Sequence, residues 1–159
     1  MNTTDAAHRS RWRTADIVFG MSLLSGFVLN YLFPISLPNL EQALLRHFIG
    51  APLLLLCGGI IYFSQKDLLS TGQPTAPGIP TTQIVKSGIY RYSRNPLYTG
   101  LVIGFCGLAI ATNTPWLLIL LIPTIIVTHY YLILPEERYL ENKFGEDYRQ
   151  YKARVRRWL

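Results

Sequence analysis

The fold of this chain is decided by the segment WLLILLIPTIIVTHYYLIL, residues 116–134, which contains one histidine and no formal charge. A membrane-spanning helix needs about 20 apolar residues, within a range of about 17–25. Three further apolar blocks precede this one, and four blocks in 159 residues favour a membrane bundle over the buried helices of a water-soluble protein. We therefore predict an all-α membrane protein with four transmembrane helices. The predicted spans are residues 17–33, 47–63, 96–112 and 115–134.

The composition supports a membrane protein. It argues against a protein that binds nucleic acid and against one built around disulfides or a metal site. Hydrophobic residues make up 50% of the chain and charged residues 15%, whereas soluble domains carry about a quarter charged residues. The net charge of +6 comes from basic residues that flank the apolar blocks, as expected beside anionic lipid headgroups, so we expect no nucleic-acid partner. Cys57 and Cys106 lie within apolar blocks and form no CxxC motif, so we expect neither a disulfide framework nor a metal site.

Basic residues are distributed unevenly among the segments that connect these blocks. The N-terminal segment, the connection 64–95 and the C-terminal segment 135–159 carry Lys or Arg, whereas the hairpins 34–40 and 112–115 carry neither. Cytoplasmic loops are enriched in Lys and Arg. We therefore predict a single membrane domain, residues 1–159, with both termini and the loop 64–95 in the cytoplasm. The short chain without a recognisable retention signal suggests a bacterial inner membrane.

Helical spacing leads to two further predictions. Four small residues lie on one face of the third span, and small residues let transmembrane helices approach closely, so we expect this face to pack on the fourth span. They are Gly100, Gly104, Gly107 and Ala111. The segment 135–159 carries an apolar stripe at helical period, which predicts an amphipathic helix at the membrane interface, with Gly145 as a candidate interruption. The stripe comprises Leu140, Phe144, Tyr148, Tyr151, Val155 and Trp158.

Two polar clusters should meet at the predicted cytoplasmic surface, because the third and fourth spans are antiparallel neighbours. One cluster is the segment 90–100, which enters the third span, and the other is PEER, residues 135–138. Asn95–Pro96 is a favoured helix start. Two interpretations are equally open: the pair only caps the helix, or it also presents backbone N–H groups to an anion.

The charged residues of these clusters point to a ligand with charges of both signs. Arg94 suits a carboxylate or a phosphate. Glu136 and Glu137 suit an amine or a pair of ribose hydroxyls, although adjacent acids at a membrane boundary need no further role. The residues therefore predict a cytoplasmic pocket for a zwitterionic ligand, without naming that ligand.

Two residues farther along the spans are candidates for substrate contacts. Arg46 lies near the outer end of the second span, where its side chain either reaches the interface or binds a substrate headgroup. His129 lies about two helical turns before Glu136, and a histidine at membrane depth is a candidate functional residue. Hydrogen bonding to a neighbouring helix is the alternative for His129.

The two polar clusters resemble a known family. The segment GIYRYSRNPLYTG, residues 88–100, resembles the Arg-His-Pro-x-Tyr-x-Gly motif of isoprenylcysteine carboxyl methyltransferases and related phospholipid methyltransferases. The segment EERYLENKFGEDYRQY, residues 136–151, resembles that family's C-terminal Glu-Glu motif and its Phe-Gly and Tyr positions. The resemblance covers residues 83–159, and its two motifs stand in the family's order.

The resemblance implies S-adenosylmethionine (SAM) as the methyl donor, bound on the cytoplasmic side, and a lipophilic or lipid-anchored acceptor that enters from the bilayer. It further implies a set of site residues. Arg94, Glu136 and Glu137 are the candidate catalytic residues. The candidate cofactor-binding residues are Val85, Gly88, Tyr90, Arg94, Asn95, Pro96, Tyr98, Glu136 and Glu137. Arg46 and His129 remain the candidate substrate residues.

One position departs from the family pattern, because Asn95 stands where the motif has histidine. An imidazole can exchange a proton near neutral pH, whereas an amide cannot. The expected reaction, most like isoprenylcysteine carboxyl methylation, needs no base for an anionic acceptor. Three alternatives stay open: methylation of a phospholipid amine or a small thiol, a non-catalytic protein that binds lipid or a partner on the same scaffold, and a sterol-reductase relative, for which the chain is short.

Overall fold

A computed structural model of the protein describes residues 7–38, 40, 42–72 and 81–158, with side chains from residue 15 onward. Within these residues the regular structure is helical, which confirms the all-α part of the predicted fold class. The helices are α1 (Ala7–Leu32), α2 (Ala43–Ser70), α3 (Pro96–Ala111), α4 (Pro115–Val127), α5 (Leu134–Phe144) and α6 (Glu146–Arg154). A 3₁₀ turn, Gly88–Arg91, precedes α3, and a π-helical stretch, Thr128–Ile133, joins α4 to α5.

Three helical segments are long and apolar enough to cross a membrane. They are Ala15–Leu32, Ala43–Ser70 and the continuous rod Pro115–Phe144. They contain all of the predicted spans 47–63 and 115–134. They also contain the predicted span 17–33 except for its last residue. The remaining predicted span, 96–112, corresponds to α3, whose 16 residues extend about 24 Å at 1.5 Å per residue. This length is below the hydrocarbon thickness of about 30 Å, so α3 is shorter than a normal crossing.

The predicted start of the loop that follows the second span is wrong. Helix α2 starts at Ala43 and continues through the polar residues that follow the apolar block, ending at Ser70. Backbone hydrogen bonding does not require apolar side chains, so the helix continues beyond the end of the apolar block. The loop predicted at 64–95 therefore begins only after α2, and its Pro/Gly-rich part, residues 73–80, lies outside the described residues.

The helices pack in the order α2, α3, α4, α1. The small-residue face of α3 packs as predicted, but mainly against α2 rather than against α4. A Cβ at Gly104 would lie 2.7 Å from Cys57 Sγ, and one at Gly107 would lie 2.8 Å from Leu53 Cβ. The backbones of α2 and α3 therefore approach closely because both helices present small side chains at the contact.

The prediction of one continuous helix over 135–159 is wrong, whereas the predicted interruption at Gly145 is confirmed. The helix breaks at Gly145, where φ is +55°. Glycine adopts this positive φ at low conformational cost because it has no Cβ. Tyr148 and Tyr151, which the stripe placed toward the membrane, are 2% and 7% exposed and pack within the protein. After α6 the chain is not helical and forms an isolated bridge between Arg156 and Ser93. We call residues 155–158 the C-terminal strap.

We expect Gly50→Ala to destabilise the bundle by about 1–3 kcal/mol, the usual cost of overpacking. A Cβ at Gly50 would lie 2.7 Å from Gly107 O and 2.9 Å from Ala111 N, so α2 and α3 must move apart. Gly58→Ala on the same helix is the control, because a Cβ there meets nothing within 4 Å. Unfolding titrations in detergent micelles measure both variants, and equal stability would contradict the close packing.

Candidate active site

The candidate site lies at the end of the bundle where α2 ends and α3 begins. Four segments meet there: the turn Gly88–Arg91, the start of α3, the first turn of α5 and the C-terminal strap. Helix α3 starts at Pro96, as predicted from Asn95–Pro96, but the Asn95 side chain makes no capping hydrogen bond. The sequence therefore located the helix start correctly and assigned the asparagine the wrong contact.

Glu137 binds two arginines at the centre of the site. Arg94 Nη1 donates to Glu137 Oε1 at 2.8 Å. Arg157 donates twice, from Nε to Oε1 at 2.9 Å and from Nη2 to Oε2 at 2.8 Å. The side chains of Arg94 and Glu137 are 8% and 6% exposed. Glu137 therefore neutralises one of the two guanidinium charges, and the neighbouring Glu136 adds a second negative charge to this end of the bundle.

Arg94 has a hydrogen-bonding group that the described residues leave unsatisfied. Its Nε is buried and has no acceptor among them. A buried donor without an acceptor loses the full hydration of that group, and such groups are rare in native proteins. Among the described residues, the Arg94 Nε–H therefore remains available to a further acceptor, and a carboxylate matches its geometry and charge.

The C-terminal strap runs alongside the start of α3. The backbone N–H of Arg94 donates to Arg156 O at 2.9 Å, and Asn95 Nδ2 donates to Arg157 O at 3.0 Å. Ser93 Oγ donates to the same carbonyl oxygen at 3.4 Å. These bonds fix the strap where Arg157 reaches Glu137, and the Glu137 carboxylate raises the pKa of Arg157 above its ordinary value. Asn95 therefore holds the strap.

The turn Gly88–Arg91 is held from two sides. Ile89 N–H donates to Asp67 Oδ2 at 2.7 Å, and the hydroxyls of Tyr90 and Ser64 lie 2.8 Å apart. From the other side, Tyr151 Oη donates to Tyr90 O at 2.7 Å. Burial raises the pKa of Tyr90 to about 12, although the hydrogen bond with Ser64 opposes this shift. The Tyr90 hydroxyl therefore stays protonated at neutral pH and is not a general base.

The other predicted cofactor residues lie around this cluster. Pro96 and Tyr98 are buried in the first turn of α3. Glu136 lies near enough to Tyr90 for its charge to contribute to the raised pKa of that hydroxyl. Val85 is buried and lines an open groove of about 570 Å³. The groove is lined by Thr71, Thr82, Gln83, Ile84, Val85, Lys86, Ser87, Phe144 and Asp147, with Lys86 and Asp147 forming an ion pair.

The two predicted substrate residues have contacts elsewhere. Arg46 donates from Nη1 to Leu40 O at 3.1 Å, near the start of α2. Ser64 stands 18 residues farther along the same helix, which corresponds to about 27 Å at 1.5 Å per residue. His129 lies in the π-helical stretch and meets the Tyr130 ring edge-on at 5.1 Å between centroids. The described contacts bring neither residue to the Arg94–Glu137 pair.

Four residues of the site were missed by sequence reasoning: Ser64, Asp67, Tyr151 and Arg157. Asp67 and Ser64 follow an apolar block and resemble ordinary polar residues at a helix end. Arg157 stands in a run of basic residues and gives no signal that distinguishes it from Arg156. Tyr151 belonged to the apolar stripe, whose spacing showed that it shares a face with Tyr148 but not what that face contacts.

Comparison with known proteins places this arrangement in context. Residues 45–147 match the sequence profile of the family described as phospholipid methyltransferase. A protein of Haemophilus influenzae, named "Uncharacterized protein", is 57% identical over 35 residues, which are 22% of this chain and 56% of that protein. The chain thus matches only about half the length of this relative. No solved structure matches the chain. The family match includes Arg94 and Glu137 and ends before the C-terminal strap.

Proposed function

Because the chain belongs to the phospholipid methyltransferase family, we propose that it transfers a methyl group from SAM to a lipophilic acceptor. The observation that carries this proposal is the buried Arg94–Glu137 pair, in which Arg94 Nε has no acceptor among the residues that the structure describes. SAM ends in an amino acid group with a carboxylate, which is the acceptor that this guanidinium lacks. The residues present therefore fit the proposed cofactor.

We propose distinct roles for the acidic and basic residues of the site. Arg94 binds the cofactor carboxylate, and Glu136 binds its ammonium or ribose hydroxyl groups. Glu137 is already bonded to Arg94 and Arg157, so its role is to hold these guanidinium groups in place. Val85 and Gly88 belong to the loop that we propose to take the adenine.

When bound, SAM supplies an electrophilic methyl group on a sulfonium, which the acceptor's nucleophile displaces directly. The chain's contribution is mainly positioning, because aligning reactants accounts for much of the barrier in such reactions. Asn95 is an amide that bonds to Arg157 O, and Tyr90 keeps its proton because its pKa is about 12. Neither can remove a proton from the acceptor, which favours an acceptor that is already anionic.

The acceptor we propose is a lipophilic carboxylate, as in isoprenylcysteine methylation. A thiolate meets the same requirement. A phospholipid amine would need a base, and Glu136 is then the candidate. We also propose that four spans lie in a bacterial inner membrane, with both termini and the site in the cytoplasm, and that the bilayer rather than nucleic acid is the partner. The basic residues of the site end support this orientation.

Purified protein in native lipid, incubated with SAM labelled in its methyl group, is expected to place base-labile label in the lipophilic fraction. Base lability identifies a methyl ester, whereas base-stable label in phospholipid indicates an amine and volatile label indicates a small thiol. Arg94→Ala is expected to raise the KM for SAM at least tenfold, since hydrogen bonds to charged groups contribute about 1.5–3 kcal/mol.

Arg154→Ala is the matched control, because it removes an exposed arginine of α6 and should leave the KM unchanged. Label in no fraction, from protein that binds SAM, would support a non-catalytic scaffold. Unchanged kinetics in Arg94→Ala would contradict the proposed role of Arg94.

A further inference from the structure

Two side chains of α2 contact the turn that leads into the candidate site, although neither belongs to the motifs that the sequence singled out. Ser64 and Asp67 stand three residues apart and therefore share a face of the helix. Their hydrogen bonds go to Tyr90 and to Ile89, the two central residues of the turn Gly88–Arg91. We infer that Ser64 and Asp67 are positioning residues that fix this turn and thereby the approach of Arg94 to the cofactor.

Asp67 determines the conformation at the start of the turn. Its Oδ2 accepts the Ile89 N–H at 2.7 Å. Gly88 has a φ of +58°, and a Cβ at this position would overlap the Asp67 carboxylate. The glycine thus serves two needs at once, because it adopts a conformation that L-residues avoid and leaves space for the carboxylate that bonds the next residue.

Ser64 holds the middle of the turn through a buried contact. The residue is 0% exposed, and its hydroxyl lies 2.8 Å from Tyr90 Oη. Tyr151 of α6 donates to the carbonyl oxygen of the same Tyr90 at 2.7 Å. The turn is therefore bonded from α2 on one side and from α6 on the other, which leaves little freedom for its position.

The turn also fixes the position of Arg94, which follows it closely in the chain. Ser93 N–H donates to Ile89 O at 3.3 Å, so the residue before Arg94 is bonded back to the turn. Arg94 N–H is in turn bonded to the strap. The side-chain hydrogen bonds of Ser64 and Asp67 go to the turn, so we infer that these residues act through the turn and are not catalytic residues.

Loss of these contacts should affect the site more than the bundle. Helices α2 and α3 already pack closely along their small-residue faces, as at Gly50 and Gly107. The position of the turn, in contrast, depends on the hydrogen bonds that Asp67, Ser64 and Tyr151 make to it. Removing Asp67 should therefore release the turn while the helices stay packed, and the binding site should lose its alignment.

The inference rests on the proposed function, so its test combines one measurement that needs the cofactor with one that does not. The probe is S-adenosylhomocysteine, the demethylated product, titrated calorimetrically into the full-length protein in lipid. Asp67→Ala is expected to raise the dissociation constant about tenfold, with the binding stoichiometry unchanged. Amide hydrogen exchange without ligand should become faster at residues 89–93 and stay unchanged in α1.

Three variants make the result specific. Asp67→Asn keeps an oxygen that can accept the Ile89 N–H, and we expect its dissociation constant within about threefold of the wild type. Ser64→Ala should raise the dissociation constant in the same direction as Asp67→Ala. Gln65→Ala is the control, since Gln65 is an exposed neighbour on the same helix, and it should change neither measurement.

The outcomes separate the inference from the proposed function. A purely structural role would lower the stoichiometry, because part of the protein is unfolded, while the dissociation constant stays at the wild-type value, and that result would overturn the inference. Unchanged exchange at residues 89–93 in Asp67→Ala would overturn it as well. Wild-type protein that is folded but binds neither SAM nor the product would refute the proposed function itself, whatever the exchange shows.

Discussion

Glu137→Ala is expected to lower the free energy of unfolding by about 3–5 kcal/mol and to abolish measurable SAM binding. The substitution removes a carboxylate that bonds both Arg94 and Arg157. Removing one partner of a buried ion pair is costly because it leaves the other charge buried without compensation. Arg94, which is 8% exposed, would then have lost its partner and its fixed orientation.

Glu141→Ala is the matched control for this prediction. Glu141 lies one turn later on the same helix and pairs with Lys152 at 3.1 Å, with both side chains at least one third exposed. Exposed ion pairs contribute about 0–1 kcal/mol, so this variant should remain close to the wild type. Unfolding titrations and calorimetric SAM titrations measure both variants. Equal behaviour of the two would show that Glu137 is not the centre of the site.

Ending the chain after Arg154 is expected to weaken SAM binding by at least tenfold, because it removes the strap. Arg94 N–H and Asn95 Nδ2 lose their acceptors, and Glu137 loses the two hydrogen bonds from Arg157 and keeps the one from Arg94. Each lost bond to a charged group is worth about 1.5–3 kcal/mol, and the freed carboxylate no longer has a fixed position. Calorimetric titration of the truncated protein with SAM measures the effect.

Two point variants divide the strap's contribution between backbone and side chain. Arg157→Ala removes the two hydrogen bonds to Glu137 but keeps the carbonyl that Asn95 bonds, so we expect an intermediate loss of affinity. Arg156→Ala is the control, since Arg156 accepts the Arg94 N–H through its backbone carbonyl and the residue is exposed. Wild-type affinity in the truncated protein would mean that the strap covers the site without supporting it.

Asn95 shows that a local sequence motif predicts where a helix starts but not which distant residue a side chain contacts. The residue lies at the start of α3 as predicted, because the pair Asn95–Pro96 favours a helix start by itself. Its side-chain contact, however, goes to Arg157 O on the strap, which lies beyond the segment that matches the family. No local pattern contains this contact, because its two ends are 62 residues apart in the chain.

The sequence by itself determined the helical class, the three long apolar helices and the closeness of the two polar clusters. These features follow from local hydrophobicity and from the short hairpin between α3 and α4, which makes them antiparallel neighbours. Only the tertiary structure decided that α3 packs mainly on α2, that Glu137 is held by Arg157 as well as Arg94, and that Asp67 bonds the turn. These contacts depend on the rotation of each helix and on the path of the chain after Gly145, which distant side chains set jointly.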